Sequence, residues 1–357
     1  MTRTEPIGPR AVHDAATAAL GRPVGAVEPV SPRRYALELR DGGSATLKLA
    51  PDGDDERCLV EPCLLDALAD TAVPAPTLLA AVGPDTSPFG TSFCILRADG
   101  GQRLPDVLAL PDAAHEQLVR EAGSHLAALH GADLDARTSA DGGPYGDFRV
   151  PDCHPDAPLT VVGVGDDGTP AAGDERWPER FERLRDRVVG ELRGGEFDDL
   201  TGTVADGLTA ATVPERPAAA LLHLDYRPAT LRFEPGVTWP THARRESPVV
   251  RTVRGLGTAS TGDGLLDLAI AEDALIGLPV GRTDRARELT AALREAYVGE
   301  RGVSTPFGER YAAYLLFARA HLLSTTDDVG SHTREHDACE AGIRCRERVQ
   351  WLADELR

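Results

Sequence analysis

The stretch that most constrains the fold is an alternating segment, Arg34-Tyr35-Ala36-Leu37-Glu38-Leu39-Arg40, followed by Asp41-Gly42-Gly43 and a second extended run from Ser44 to Ala50. Period-two alternation on either side of a glycine-bearing turn specifies an antiparallel hairpin. Its second strand carries Lys48, the only lysine of the chain. A helix is predicted over about 56–70, with Leu59, Cys63 or Leu64, and Leu68 on one face. Pro62 belongs to its first turn, where a missing N–H costs little, so the ordered helix starts closer to Val60. Val73-Pro74-Ala75-Pro76 breaks the chain, and strands are predicted at 77–82 and 91–96.

Beyond residue 98 the pattern becomes helical. Leu118, Ala122, Leu126 and Leu129 recur at helical spacing within 112–134, as do Trp177, Phe181, Leu184 and Val188 within 175–192. Further helices are expected at 264–276, 284–297, 310–323 and 335–356, whereas the Gly-, Pro- and Asp-rich residues 142–173 read as a long surface loop or insertion. A chain of 357 residues exceeds one ordinary core. The expected architecture is therefore α+β with two lobes: a small antiparallel sheet with one helix over 1–97, and a larger, mainly helical lobe over 98–357.

Charge narrows the partners. A net charge of −19 repels phosphate backbones and anionic bilayers, which argues against nucleic acid and membrane surfaces. The acid-rich composition, with no Asn and a single Met, suits a high-salt environment in which carboxylates retain water. No apolar run approaches the roughly 18 residues of a membrane span, and the segment from Met1 to Pro6 has no apolar signal core, so a cytoplasmic protein is expected. Six cysteines without a CxxC pair fit free thiols.

The segment richest in chemistry is Leu221-Leu222-His223-Leu224-Asp225-Tyr226-Arg227-Pro228-Ala229-Thr230-Leu231-Arg232-Phe233. One apolar strand delivers a His-x-Asp into a short loop and another leaves it, an arrangement that can hold Asp225 as a general base. Together with Lys48 this segment resembles the aminoglycoside phosphotransferase-like (choline kinase-type) family of small-molecule kinases, relatives of protein kinases. The family pattern HGDxxxxN stands here as HLDYRPAT, His223 to Thr230, and DW…GDPLLDLA stands as GLGTASTGDGLLDLA, Gly255 to Ala269. Further matches in the same order are LKLAP around Lys48, EPCLLDALA from Glu61, VPAPTLLA from Val73 and HLAALHGADL from His125, so the resemblance covers about 25–325.

The resemblance implies a protein kinase-like fold and ATP-dependent phosphoryl transfer, with Mg²⁺, to a hydroxyl of a small molecule. Lys48 would pair the nucleotide phosphates, Glu61 would hold Lys48, and Asp225 would accept the hydroxyl proton. His223, Asp263 and Asp267 would support the site, Asp263 by bracing the catalytic loop and Asp267 by beginning or supporting the following helix. Three departures set a second expectation beside this one. The family's metal-binding Asn falls on Thr230, its metal-binding Asp falls on Gly255, and the glycine-containing phosphate loop reads Val30-Ser31-Pro32-Arg33-Arg34. No protein metal ligand is therefore assigned, and the alternative is a degenerate pseudokinase that binds nucleotide, metabolite or protein without transfer.

Three other patterns carry less. Gly163-Val164-Gly165-Asp166-Asp167-Gly168 fits GxGxxG, but its aspartates repel a pyrophosphate. Lys48 follows Leu47 rather than glycine, which excludes a Walker A loop. His332, His336 and Cys339 at i, i+4 and i+7 would share a helix face, most simply as a polar face and alternatively as zinc ligands.

Overall fold

The computed structural model describes residues 7–51, 53–98, 100–104, 106–134, 138, 143–164, 170–174, 176–238, 248–301, 307–325 and 338–357. It begins with helix α1 (Pro9–Leu20), then strands β1 (Val24–Ser31), β2 (Arg34–Leu39) and β3 (Ser44–Leu49). Two short helices, α2 (Asp55–Cys58) and α3 (Val60–Ala67), precede β4 (Leu78–Val82) and β5 (Phe93–Arg97). All five strands pair antiparallel in the order β1-β2-β3-β5-β4. The predicted hairpin is β2–β3, with Arg34 opposite Lys48 and Glu38 opposite Ser44. Tyr35, Leu37 and Leu39 of β2 and Ala45, Leu47 and Leu49 of β3 are buried, whereas Lys48 alternates to the opposite face.

Two features here differ from the expectation. The residues before Leu59 form a separate short helix, α2, while α3 starts at Val60 with Pro62 in its first turn as expected. Helix α1, which was not expected, buries Val12, Ala15 and Ala16 against the apolar face of β1–β3 and β5. Its start is marked by Pro9 in the first turn, and Gly21 at φ 61° ends it.

The remainder is mainly helical. Helix α4 (Asp112–His130) is followed by β6 (Gly146–Arg149), β7 (Thr160–Val164), β8 (Pro170–Ala172), α5 (Trp177–Leu192) and α6 (Thr201–Ala210). Then come β9 (Ala219–Leu222), β10 (Leu231–Phe233), β11 (Val250–Val253), β12 (Ser260–Asp263) and α7 (Gly264–Glu272). A π-helical turn at Asp273–Gly277 leads into α8 (Leu278–Val280), and α9 (Asp284–Arg301), α10 (Gly308–Thr325) and α11 (Ala338–Glu355) complete the chain. The expected loop over 142–173 is corrected. Its described residues supply β6, β7 and β8, which extend a five-stranded sheet ordered β8-β7-β6-β12-β9. The glycines that suggested a loop serve close packing instead: a Cβ on Gly146 would lie 2.3 Å from the Val162 carbonyl oxygen. Residues 165–168 of the GxGxxG pattern, together with His332 and His336, lie outside the described residues. Among the described residues no helix is long and apolar enough to cross a membrane, and Cys58, Cys63, Cys94, Cys153 and Cys345 are free thiols.

Candidate functional site

Lys48 stands on the face of β3 opposite the α1 core, beneath α3. Its Nζ donates to both Glu61 oxygens, at 2.9 and 2.7 Å, and both side chains are largely out of water. A cavity of about 490 Å³ opens beside the pair, lined on one side by Arg33, Arg34 and Arg57 and on the other by Gly255, Gly257 and Thr258. The glycine-containing loop of the family is replaced by a two-residue turn at Pro32-Arg33, since Ser31 pairs with Arg34. Arg33 Nη1 donates to the Ala50 carbonyl at the cavity edge. Arg57 Nε donates to the Gly257 carbonyl across the cleft (3.4 Å), and Arg149 on β6 pairs with Asp54 (2.5 Å). Cys58 also lines the cavity, where burial and then the Glu61 charge push its thiol up to about 12. It is inert as a nucleophile near neutral pH.

The second half of the site is the loop after β9. His223 is fully buried, and its ring bonds fix the tautomer. Nε2–H donates to the Arg254 carbonyl (2.8 Å), and Nδ1 accepts the Asp225 N–H (3.2 Å). The next residue, Leu224, has φ 60° where the family pattern has glycine, a conformation that costs a non-glycine residue about 1 kcal/mol. Asp267 holds it there: its two oxygens accept the N–H groups of His223 (2.5 Å) and Leu224 (2.7 Å), and His130 Nε2 donates to it at 3.3 Å. Asp263 instead caps α7 by accepting the Leu265 N–H (3.1 Å), and it receives the Tyr314 hydroxyl (2.9 Å). The expected roles of these two aspartates are thus exchanged. They lie one helical turn apart, and only the direction of β9 decides which reaches the loop. The glycines around Asp263 are steric requirements, since a Cβ on Gly262 would lie 2.3 Å from Trp177 and one on Gly264 would lie 2.6 Å from His130.

Asp225 sits half-buried beyond the cavity, with Arg227 Nε 2.5 Å from its Oδ1 and His321 Nε2 at 3.8 Å. Arg227 also donates to the Thr325 hydroxyl (3.0 Å), tying the loop to α10. Neither Arg227 nor Arg57 was among the residues expected at the site. Their positions, two residues after Asp225 and one turn before Glu61, were the available signals. The structure brings Lys48, Glu61 and Gly255 to one cavity and sets Gly255 against the Asp225 loop, where a Cβ on it would meet Thr230 Cγ2 at 3.4 Å.

The residues fit a polyphosphate better than a protein-held metal. Lys48 and three arginines supply cationic N–H donors around the cavity. At the position of the family's Asn, the Thr230 hydroxyl is committed to the loop itself: it donates to the Asp225 and Arg227 carbonyls (2.7 and 2.9 Å) and accepts the Arg227 N–H. Gly255 offers no side chain and holds φ 98°. No cluster of three metal-ligating side chains occurs among the described residues. This donor set does not suit Mg²⁺, which requires oxygen ligands such as carboxylates.

Solved structures of the same fold cover almost the whole chain. A putative aminoglycoside phosphotransferase from Ralstonia eutropha JMP134 matches over 98% of both chains at 20% identity, with a TM-score of 0.64. A thermostable mutant of aminoglycoside phosphotransferase APH(4)-Ia, in ternary complex with AMP-PNP and hygromycin B, matches 97% of this chain and 98% of its own at 16% identity, with a TM-score of 0.57. A putative fructosamine-3-kinase from Thermobifida fusca YX-ER1 matches 98% of this chain and 99% of its own at 18% identity, with a TM-score of 0.52. No curated protein matches by sequence. The sheet, the helical part and the two facing loops are therefore those of a protein kinase-like fold, and a family model, "Phosphotransferase enzyme family", matches residues 25–303. The chain belongs to the APH phosphotransferase family.

Proposed function

We propose that the protein transfers the terminal phosphoryl group of ATP to a hydroxyl of a small polar molecule, at a low rate. The Lys48–Glu61 pair at the cavity facing the Gly255 loop carries this reading, because a lysine fixed by a carboxylate presents its remaining proton donor to a phosphate. Asp225 takes the proton of the acceptor hydroxyl as its oxygen forms the new P–O bond, and ADP leaves with the electrons of the broken P–O bond. Arg33, Arg34 and Arg57 offset the phosphate charge from the protein side. Relatives crystallised with AMP-PNP or ADP and hygromycin B support the nucleotide and the small-molecule class of acceptor.

A second reading is favoured by one observation: Thr230 Oγ1 is consumed by its own loop, and Gly255 has no donor. It makes the protein a nucleotide or metabolite binder without transfer. Calorimetry with ATP, with and without Mg²⁺ or Mn²⁺, followed by an ADP assay, separates the two. Binding with slow ADP formation that Asp225→Ala abolishes supports transfer, and turnover arising only in the Thr230→Asn, Gly255→Asp double variant supports the binder. Absence of any nucleotide effect at saturating ATP overturns both nucleotide readings.

A further inference from the structure

Beyond α7, two adjoining cavities of about 470 and 450 Å³ lie among the π-helical turn, the start of α9 and α11. Arg282, Thr283, Arg348 and Trp351 line both. The guanidinium carbons of Arg282 and Arg348 lie 4.4 and 4.5 Å from the Trp351 ring centroid. One indole thus gathers both like charges beside the cavities. Trp351 itself is 37% exposed, one of three large apolar side chains exposed among the described residues.

Of the three carboxylates that line the cavities, two are engaged by other cations, and the third is exposed at the rim. Glu272 accepts Arg294 at 2.9 and 3.0 Å and Tyr311 at 2.8 Å. Asp273 is clasped by Arg319 at 2.7 and 2.8 Å. Asp284 pairs with Arg287, and Arg344 with Glu340, while Glu347 stands exposed at the rim. Among the described residues neither Arg282 nor Arg348 has a carboxylate within ion-pair distance. Arg348 is only partly exposed, and burial, with the neighbouring Arg319 and Arg282 charges opposing the partial relief from Asp273, holds its pKa below the ordinary arginine value. Two guanidinium groups without an ion-pair partner thus face the cavities, Arg348 half-buried and Arg282 exposed at the mouth, and an anion placed between them would gain from both.

We propose that these adjoining cavities bind a small anion bearing two or more oxyanion groups, phosphate or carboxylate, between Arg282 and Arg348. The paired forks match two oxyanions of one molecule, and the cavity volumes admit a compact metabolite but not a folded partner. The site continues directly from α7, the helix whose Asp267 holds the His223 loop, and it is independent of the phosphotransferase reading.

The test titrates full-length protein with pyrophosphate and, separately, with citrate, reading tryptophan fluorescence and thermal midpoint against sodium chloride of matched ionic strength. The expected result is a saturable change with at least one of the two, weakened about tenfold or more in Arg282→Leu and in Arg348→Leu but kept in Lys48→Ala. Response to one anion alone identifies phosphate or carboxylate as the group selected. Trp351→Phe should remove the fluorescence change and keep the thermal one. Arg282 is exposed, so its variant decides the matter if Arg348→Leu does not fold. Equal responses in wild type and Arg282→Leu, loss of the response in Lys48→Ala, or no response beyond sodium chloride overturn the proposal.

Discussion

Lys48 Nζ touches both oxygens of Glu61, so the only lysine of the chain is held by two hydrogen bonds to one carboxylate. Lys48→Ala should lower nucleotide affinity about tenfold or more, measured by calorimetry. It also leaves Glu61 without its cation, and chemical denaturation should report a loss of about 1–3 kcal/mol. Unchanged affinity would remove Lys48 from phosphate binding.

Asp225→Asn keeps the shape of the side chain and removes its ability to take a proton. Any phosphoryl transfer should fall about 100-fold or more, while the thermal midpoint moves little, because Asp225 is half-buried and its main partner is Arg227. Steady-state ADP release in matched preparations checks this. Retained turnover would place the base elsewhere.

Asp267→Asn should be among the most damaging single changes in the chain. The carboxylate is fully buried and accepts from two backbone N–H groups and His130. An amide turns one acceptor into a donor facing an N–H, and the strained Leu224 loses its anchor. Denaturant unfolding should show a loss of about 2–4 kcal/mol, whereas a change below about 0.5 kcal/mol would contradict the bracing role.

His125 gives the folded protein a pH dependence of known sign. Burial lowers its pKa from 6.5 to about 4, and as neutral imidazole its Nδ1 accepts the Tyr226 hydroxyl at 3.0 Å. The unfolded chain binds this proton more readily, so stability falls as pH drops through 6.5 and levels off near 4. The loss attributable to this group is about 3 kcal/mol. His125→Gln should flatten that limb of the stability curve, read from urea midpoints across the interval.

The hairpin, α4, α5 and the motif order were legible because each rests on local periodicity or on a contiguous pattern. The strands of 146–172 were not. They are short, and glycine and proline there satisfy close packing and sheet-edge constraints that composition alone reads as loop. Lys48, Glu61 and Asp225 could be singled out from their motifs, but the loop-holding role of Asp267 depends on which way β9 delivers His223. The stacking of Arg282 and Arg348 on Trp351 joins residues distant in sequence and leaves no local signature.

The left-handed backbone at Gly255 limits which side chains this position accepts. A neighbouring loop has settled around a residue without a Cβ, with His223 bonded to the carbonyl just before it and Thr230 packed beside it. An aspartate arriving there by a single codon change would meet about 1 kcal/mol of conformational penalty before it could gain a ligand. The backbone at this one position therefore sets a threshold that a carboxylate must clear before it can reach into the cation-lined cleft.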